Sequence, residues 1–380
     1  MTNALDDPRL VAPLGSGCRL GSHRVLEPKG ALPQGAWRLD NTPVPYANEI
    51  LCDVETLNVD SASFKQIAEA CGGDAFAIGA HILATVSERG KQHNAVTGSG
   101  GMFVGRVAEI GPALASREDV AVGDRIASLV SLTLTPLRLD AIDDVDVATG
   151  QVQVHGKAIL FESGIYARLP DDLPTDVALA VLDVAGAPAQ VRRIVRAGET
   201  VCVIGADGKS GILACAQARD RVGREGFVVG IVPDDETPGA TLLREHRYVD
   251  RLIVADARDT LAVLEALPVA MPHLADLVVN CVNVGGTELA SVLCCKDSGT
   301  VYFFSMATSF TAAALGAEGV GKDVTMMVGN GYAKGHAAVA LQTLRDHPAI
   351  KDYFISRYTA ARAKPEREGF RQRRNPPEQS

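Results

Sequence analysis

Eight cysteines are spread along the chain, at 18, 52, 71, 202, 215, 281, 294 and 295, and no two form a C-x-x-C pair. That spacing argues against a zinc ribbon or a redox dithiol. Cys202 and Cys281 fall inside apolar runs, as small core residues in a reduced compartment do. No stretch of about 18 apolar residues occurs, so no membrane helix is expected. Aromatic residues are few, at 5%, with a single tryptophan, Trp37. Positive charge is in deficit: the net charge is −9, which argues against a nucleic-acid partner. The opening MTNALDDPRL is acidic rather than apolar, so no secretory leader is expected and the chain reads as cytoplasmic. What remains is ordinary globular composition, 47% apolar and 22% charged, over 380 residues, enough for two domains.

The most informative stretch is 199–232. The apolar run Val201–Ile204 leads into Gly205-Ala206-Asp207-Gly208-Lys209-Ser210-Gly211, then a helical pattern, then a second apolar run, 227–232. Strand, glycine turn, helix, strand is the unit that seats a dinucleotide pyrophosphate. Glycines let the backbone approach the phosphates, and the helix start supplies free N–H groups and partial positive charge. The rival is a P-loop, because Gly208-Lys209-Ser210 imitates its end; that motif needs a glycine where Val203 stands. A carboxylate at the tip of the second strand would bind the adenosine 2′-OH and repel a 2′-phosphate. Here Pro233 follows Val232, with Asp234 and Asp235 only beyond it, so NAD and NADP both stay open.

Residues 1–16 read as a mobile leader. Residues 17–175 carry short strands with glycine corners, as in a small β-barrel with inserted helices, and an acidic loop at 140–146. Residues 176–334 alternate strands and helices, with near-continuous apolar runs such as Val301–Phe304 that suit strands buried on both faces. This predicts an α/β protein whose second half is a doubly wound parallel sheet. A helix over 335–347 follows, and residues 335–356 are grouped with the barrel. From 357 the chain is charged and Pro-ended, a disordered tail by composition.

The first half resembles the GroES-like domain of the medium-chain dehydrogenase/reductase superfamily. The resemblance rests on Gly98–Gly111, on Val122-Gly123-Asp124-Arg125-Ile126 and on Tyr166-Ala167-Arg168-Leu169-Pro170, with a Rossmann half in the expected order. Several stretches go further, among them HRVLEPKGALPQGAWRLDN, SLVSLTLTPLR and FFSMATSFTAAALGAEGVGKDVTMMVGNGY. They are similar to a family within it, the diaminohexanoate dehydrogenases of bacterial lysine fermentation. That resemblance implies oxidative deamination: a 3,5-diamino acid, water and NAD(P)+ give the 3-oxo acid, ammonia and NAD(P)H. It also implies a homodimer. The places that hold zinc ligands in the alcohol dehydrogenases read Asn58–Ser61, Thr97–Ser99 and Leu182–Ala185 here, with no thiolate or imidazole. Metal chemistry is therefore not expected, and side chains must do the proton transfers. The other zinc-free reading of this fold is a quinone or enoyl reductase using NADPH; a third is a nucleotide-sensing scaffold.

An ammonium group must lose a proton before its carbon can release hydride, and a base is needed again to activate water. Asp60 and Asp183 stand where the superfamily places active-site groups, and Glu162 is a third candidate. Their plain alternatives are a helix cap, an interdomain hydrogen bond and a turn residue. For the substrate carboxylate the cations Arg24, Lys29 and Arg38 are candidates. His23 and His93 could relay protons, and Lys334 and His336, after the last sheet strand, could reach the cleft too. On the cofactor side, Gly205, Gly208, Lys209, Ser210 and Gly211 are expected at the pyrophosphate. Asn283, Ser305, Met306 and Asn330 are expected toward the ribose and nicotinamide, since ligands sit at the carboxyl ends of parallel strands.

Overall fold

The structure, a computed structural model, describes residues 15–359 except 95–97, 99, 306 and 330. The expected mobile leader and charged tail lie almost wholly outside the described residues. The chain divides into two compact units, the first running through Leu169 and the second starting at Pro170.

The first unit holds β1 (Val25–Glu27), β2 (Arg38–Leu39), β3 (Glu49–Asn58), α1 (Ser61–Ala70), α2 (Ala75–Arg89), β4 (Met102–Ile110), β5 (Arg125–Ser128), β6 (Leu137–Asp146), β7 (Gln151–Phe161) and β8 (Tyr166–Arg168). Six strands form one antiparallel sheet in the order β6-β7-β3-β4-β5-β8. β3 is its spine. Its pairing slips between Val54 and Thr56 against both neighbours: against β4 Glu55 is the extra, bulged residue, while against β7 the extra residue lies on β7, between Gln153 and Gly156. The Glu55 carboxylate there accepts from Arg125 at 2.7 Å and meets Arg106 at 3.1 Å. Ile50, Cys52, Val54 and Leu57 pack with Phe103, Ile126 and Val152, and α2 adds Ile78, Ile82 and Val86. Those three recur every fourth residue and so share one helix face. Asp74 caps the start of α2, and Gly90, at φ 66°, ends it.

One expectation fails here: residues 140–146 are not an acidic loop but most of β6. Leu137, Ile142 and Val145 turn inward, while the aspartates fall on the open side of an edge strand. Charge on an edge strand is compatible with pairing on one side and discourages pairing on the other.

The second unit comprises α3 (Thr175–Leu182), α4 (Gly186–Ile194), β9 (Thr200–Ile204), α5 (Lys209–Val222), β10 (Phe227–Val232), α6 (Pro238–Glu245), β11 (Arg251–Val254), α7 (Thr260–Ala270), β12 (Ala275–Asn280), α8 (Glu288–Cys294), β13 (Cys295–Phe303), α9 (Phe310–Gly319), β14 (Thr325–Val328), α10 (His336–Asp346) and α11 (Pro348–Thr359). All six strands are parallel, in the order β11-β10-β9-β12-β13-β14. Numbered within the unit this is 3-2-1-4-5-6, the Rossmann order, with its switch point between β9 and β12. Every residue of β9 is buried, as a central parallel strand requires. Two helices go beyond the sequence reading. α9 lies between β13 and β14, and α11 carries order to Thr359, through the first residues assigned to the tail. α10 and α11, expected with the barrel, pack on α3, α4, α5 and α6. Gln217 of α5 donates to Thr343 of α10 at 3.1 Å, and Arg345 forms a two-pronged bond to Asp172.

Candidate functional site

The glycine turn sits at the switch point, just past the end of β9. Gly205 has φ 75°, which a side chain resists, and a Cβ on it would press Val282 in the loop after β12. A Cβ on Gly211 would stand 2.1 Å from the Gly205 carbonyl oxygen, so the helix can approach the turn only with glycine there. Gly208 is the N-cap of α5 and supplies no side-chain cap. The first-turn N–H groups have no side-chain cap, the arrangement by which a helix start takes an anion such as a diphosphate. Ser210 differs from expectation: it is buried beneath the turn, hydrogen-bonded to the Cys281 thiol, whose pKa burial pushes up to about 12. Asp207 turns to α6, taking a 3.0 Å hydrogen bond from Thr237.

Lys209 and Asp183, expected in separate roles, are joined. The lysine Nζ lies 2.5 Å from Asp183 Oδ2, bridging the start of α5 and the end of α3. The loop after β14 reaches the same end of the unit, where Gly331 backbone lies so close to Gly186 that a Cβ would meet it at 2.8 Å. Lys334 is exposed on that loop. His336 is buried against the Tyr332 ring, its pKa held below the usual imidazole value by burial. Asn283 is exposed in the loop after β12. The residue that shapes this loop is Asn280, which sequence reasoning missed. It is buried, donates to Thr287 at 2.8 Å and Ser291 at 2.9 Å, and accepts from the Val282 N–H. Its sequence signal was a polar residue closing the apolar run Leu277-Val278-Val279. Ser305 accepts from the Ala307 N–H and makes a tight turn after β13. Met306 and Asn330 lie outside the described residues.

In the first unit Asp60 is the N-cap of α1: its Oδ1 accepts from the Ser63 N–H at 3.0 Å. Its Oδ2 is buried and has no hydrogen-bond partner among the described residues. One oxygen therefore serves the helix, and the other is a desolvated acceptor left open. Gly101 makes this neighbourhood possible, since its Cβ would strike Asn58 O at 2.1 Å and Asp60 N at 2.8 Å. His93 follows α2, with Nδ1 3.1 Å from Thr133 Oγ1. Burial first, then the charges of Arg89 and Lys91, hold its pKa below the usual value and favour the neutral ring. Beside it two polar residues passed unnoticed in sequence. Lys91 is fully buried, its ammonium on the Pro33 carbonyl, and burial aided by Arg89 brings its pKa down to about 8. Gln92 is buried with Oε1 unpartnered. Their only signal was a polar run, Lys91–Asn94, which continues the polar Ser87-Glu88-Arg89 before it and so reads as surface.

Arg24 corrects the sequence reading. It is 1% exposed, and its guanidinium grips both oxygens of Glu49, at 3.0 and 2.6 Å, and the carbonyls of Asp40, Thr42 and Val44. All five N–H donors are used, so none remains for a substrate carboxylate. His23 adds a 2.8 Å contact to the same Glu49. Burial pushes the Glu49 carboxyl up, but hydrogen bonds from His23, Arg24 and the Tyr46 backbone together hold it below its ordinary value. Glu162 belongs to a similar clamp, accepting from Asn48 at 3.1 Å and facing Arg19 at 3.8 Å. Lys29 and Arg38 are exposed. Among the described residues no group of three or more His, Cys, Asp or Glu side chains is placed to hold a metal ion.

A family model described as the L-erythro-3,5-diaminohexanoate dehydrogenase N-terminal domain matches residues 23–170. Two relatives named L-erythro-3,5-diaminohexanoate dehydrogenase match over 343 residues, 90% of this chain and 99% of theirs. The protein of Acetoanaerobium sticklandii is 52% identical and that of Fusobacterium nucleatum subsp. nucleatum 50%. Among solved structures, the quinone oxidoreductase from Coxiella burnetii aligns at 15% identity with a TM-score of 0.49, over 83% of this chain and 89% of that one.

Proposed function

The chain belongs to the L-erythro-3,5-diaminohexanoate dehydrogenase family, and from that membership we propose that it deaminates 3,5-diaminohexanoate oxidatively to 5-amino-3-oxohexanoate and ammonia. A nicotinamide dinucleotide bound at the Gly205–Gly211 turn would accept the hydride. The observation that carries the cofactor half is that turn: an uncapped helix start at the switch point of a 3-2-1-4-5-6 sheet. The amine half follows from relatives named for a diamino acid, which favours this reading over a quinone or enoyl reductase.

Asp60 is the base in this proposal. Its open Oδ2 takes the proton from the reacting ammonium and passes it to solvent; the carboxylate so restored stabilises the cationic imine left by hydride transfer and then takes a proton from the water that adds to it. Loss of ammonia leaves the ketone. Asp183 is a weaker candidate for this step because its carboxylate is part-exposed, whereas Asp60 Oδ2 is buried without a hydrogen-bond partner among the described residues.

Of the two dinucleotides we favour NAD. Asp234, Asp235 and Glu236 follow β10, and the nearby Arg244 and Arg258 are engaged by Asp235 and Asp256. A 2′-phosphate there would meet carboxylates rather than free cations. The eight cysteines are all free, which suits a reducing cytoplasm, and no single described helix is long and apolar enough to cross a membrane. The open edge of β14, with Val328 exposed, suits pairing of two copies into a homodimer.

Purified protein given the diamino acid should release ammonia and form reduced nicotinamide in equal amounts, faster with NAD+ than with NADP+. Turnover of quinones in place of the diamino acid would overturn the assignment, and equal rates with both dinucleotides would overturn the preference.

A further inference from the structure

We propose that Asp183 receives one of the substrate's two ammonium groups, and that Lys209 masks it until the pyrophosphate of the cofactor draws the lysine away. The inference rests on the dinucleotide reading of the glycine turn given above.

Lys209 is the first residue of α5, directly after Gly208, so its ammonium group belongs to the same turn as the free N–H groups. It is the only cation in Gly205–Gly211. Asp183 closes α3 and holds that ammonium at 2.5 Å. Among the described residues each has the other as its one ionic partner. The side chains are 28% and 35% exposed, so neither ion is locked in by desolvation, and the lysine stem can turn without unpacking a core. This is unlike Arg24 and Glu49, whose burial and full set of hydrogen bonds leave no second arrangement.

The charges then compete in a simple way. Paired with Lys209, Asp183 presents a neutral couple, with little pull on an ammonium. A diphosphate at the start of α5 brings two negative charges to the only cation of the turn. Once Lys209 turns to it, Asp183 stands as an unpaired carboxylate at the same end of the sheet. The substrate carries two ammonium groups for one carboxylate, so it gains from each acidic group released. Because the two binding events share Lys209 and Asp183, each must strengthen the other by the same factor.

The test uses the full chain and two titrations. NADH binding is followed by nicotinamide fluorescence, and binding of the diamino acid by calorimetry with and without saturating NADH, a pairing that cannot turn over. In the unaltered protein NADH should tighten the diamino acid by about tenfold or more. Lys209→Met should bind the diamino acid without NADH about as tightly as the unaltered protein does with it, and the coupling should fall to near unity. Asp183→Asn should bind NADH at least as tightly as before, since Lys209 has lost its rival, and should show no coupling. Persistence of the full coupling in Lys209→Met overturns the inference, as does weakened NADH binding in Asp183→Asn. Tight binding of NADH without any coupling in the unaltered protein overturns this inference alone. Failure to bind any nicotinamide dinucleotide overturns the cofactor reading as well.

Discussion

Two ion pairs, one in each unit, divide the labour of charge in this molecule. Arg24–Glu49 is sealed: both side chains are 1% exposed, and every guanidinium donor is spent. Lys209–Asp183 is half open and rests on a single contact beside a helix start. The first ties residues 24–49 into one piece and can do nothing else. The second can exchange partners. What separates them is not residue type but how many polar atoms remain unspent, and by that measure Asp60 stands with the second pair: one oxygen caps α1 and the other is unused.

The sharpest way to break this contrast is Asp60→Asn. Asparagine still caps the helix, so stability should move by no more than about 0.5 kcal/mol, while kcat falls roughly 10²–10⁴-fold. A stopped assay in a folded variant would support the division; unchanged kcat would end Asp60's claim. Arg24→Met is the opposite case. It strands a buried carboxylate and should cost about 3–5 kcal/mol in denaturant unfolding. Glu49 titrates lower folded than unfolded, so its stabilisation is present above about pH 4.3 and lost as pH falls through the depressed folded value. In Arg24→Met that acid limb should flatten.

Next is Lys91→Met. The lysine pKa drops from the usual value to about 8 on folding, so its charge opposes the fold wherever it is protonated. The variant should gain about 3 kcal/mol at pH 7, and the gain should fade between pH 8 and about 10.4, above which lysine is neutral in both states. The smallest effect is the matched control for Asp60. Asp74 caps α2 as Asp60 caps α1, through a 2.8 Å bond from Ala77 N–H, but it lies in the open. Asp74→Ala should cost about 1 kcal/mol and leave kcat untouched.

The Rossmann half was legible because its central strands are buried on both faces and several of its helices begin at glycine or at a side-chain cap; periodicity and turn chemistry carry both signals. β6 was misread because its aspartates suggest a loop when only their neighbours are seen; an edge strand has one wet side. α9 hid in Phe310–Gly319, whose alanines and glycines show little apolar contrast between faces. In the candidate site, the turn and Asp60 were readable because backbone geometry demands glycine and because capping has a sequence signature. Arg24 was misassigned because sequence reports a charge but not what surrounds it. Asn280 and Lys91 went unseen for the same reason, since each owes its role to burial.

β6 has a consequence beyond its shape. Its free edge is guarded by Asp140, Asp143, Asp144 and Asp146, and of these Asp140 and Asp143 face Arg138 and His155. The guard is electrostatic and is separate from the packing that holds the sheet. Replacing those aspartates with neutral residues would leave the inward face of Leu137, Ile142 and Val145 intact and offer the strand's outer edge beyond Leu137 to other copies of the chain. Loss of solubility, rather than loss of structure, is then the first failure to expect of such a variant.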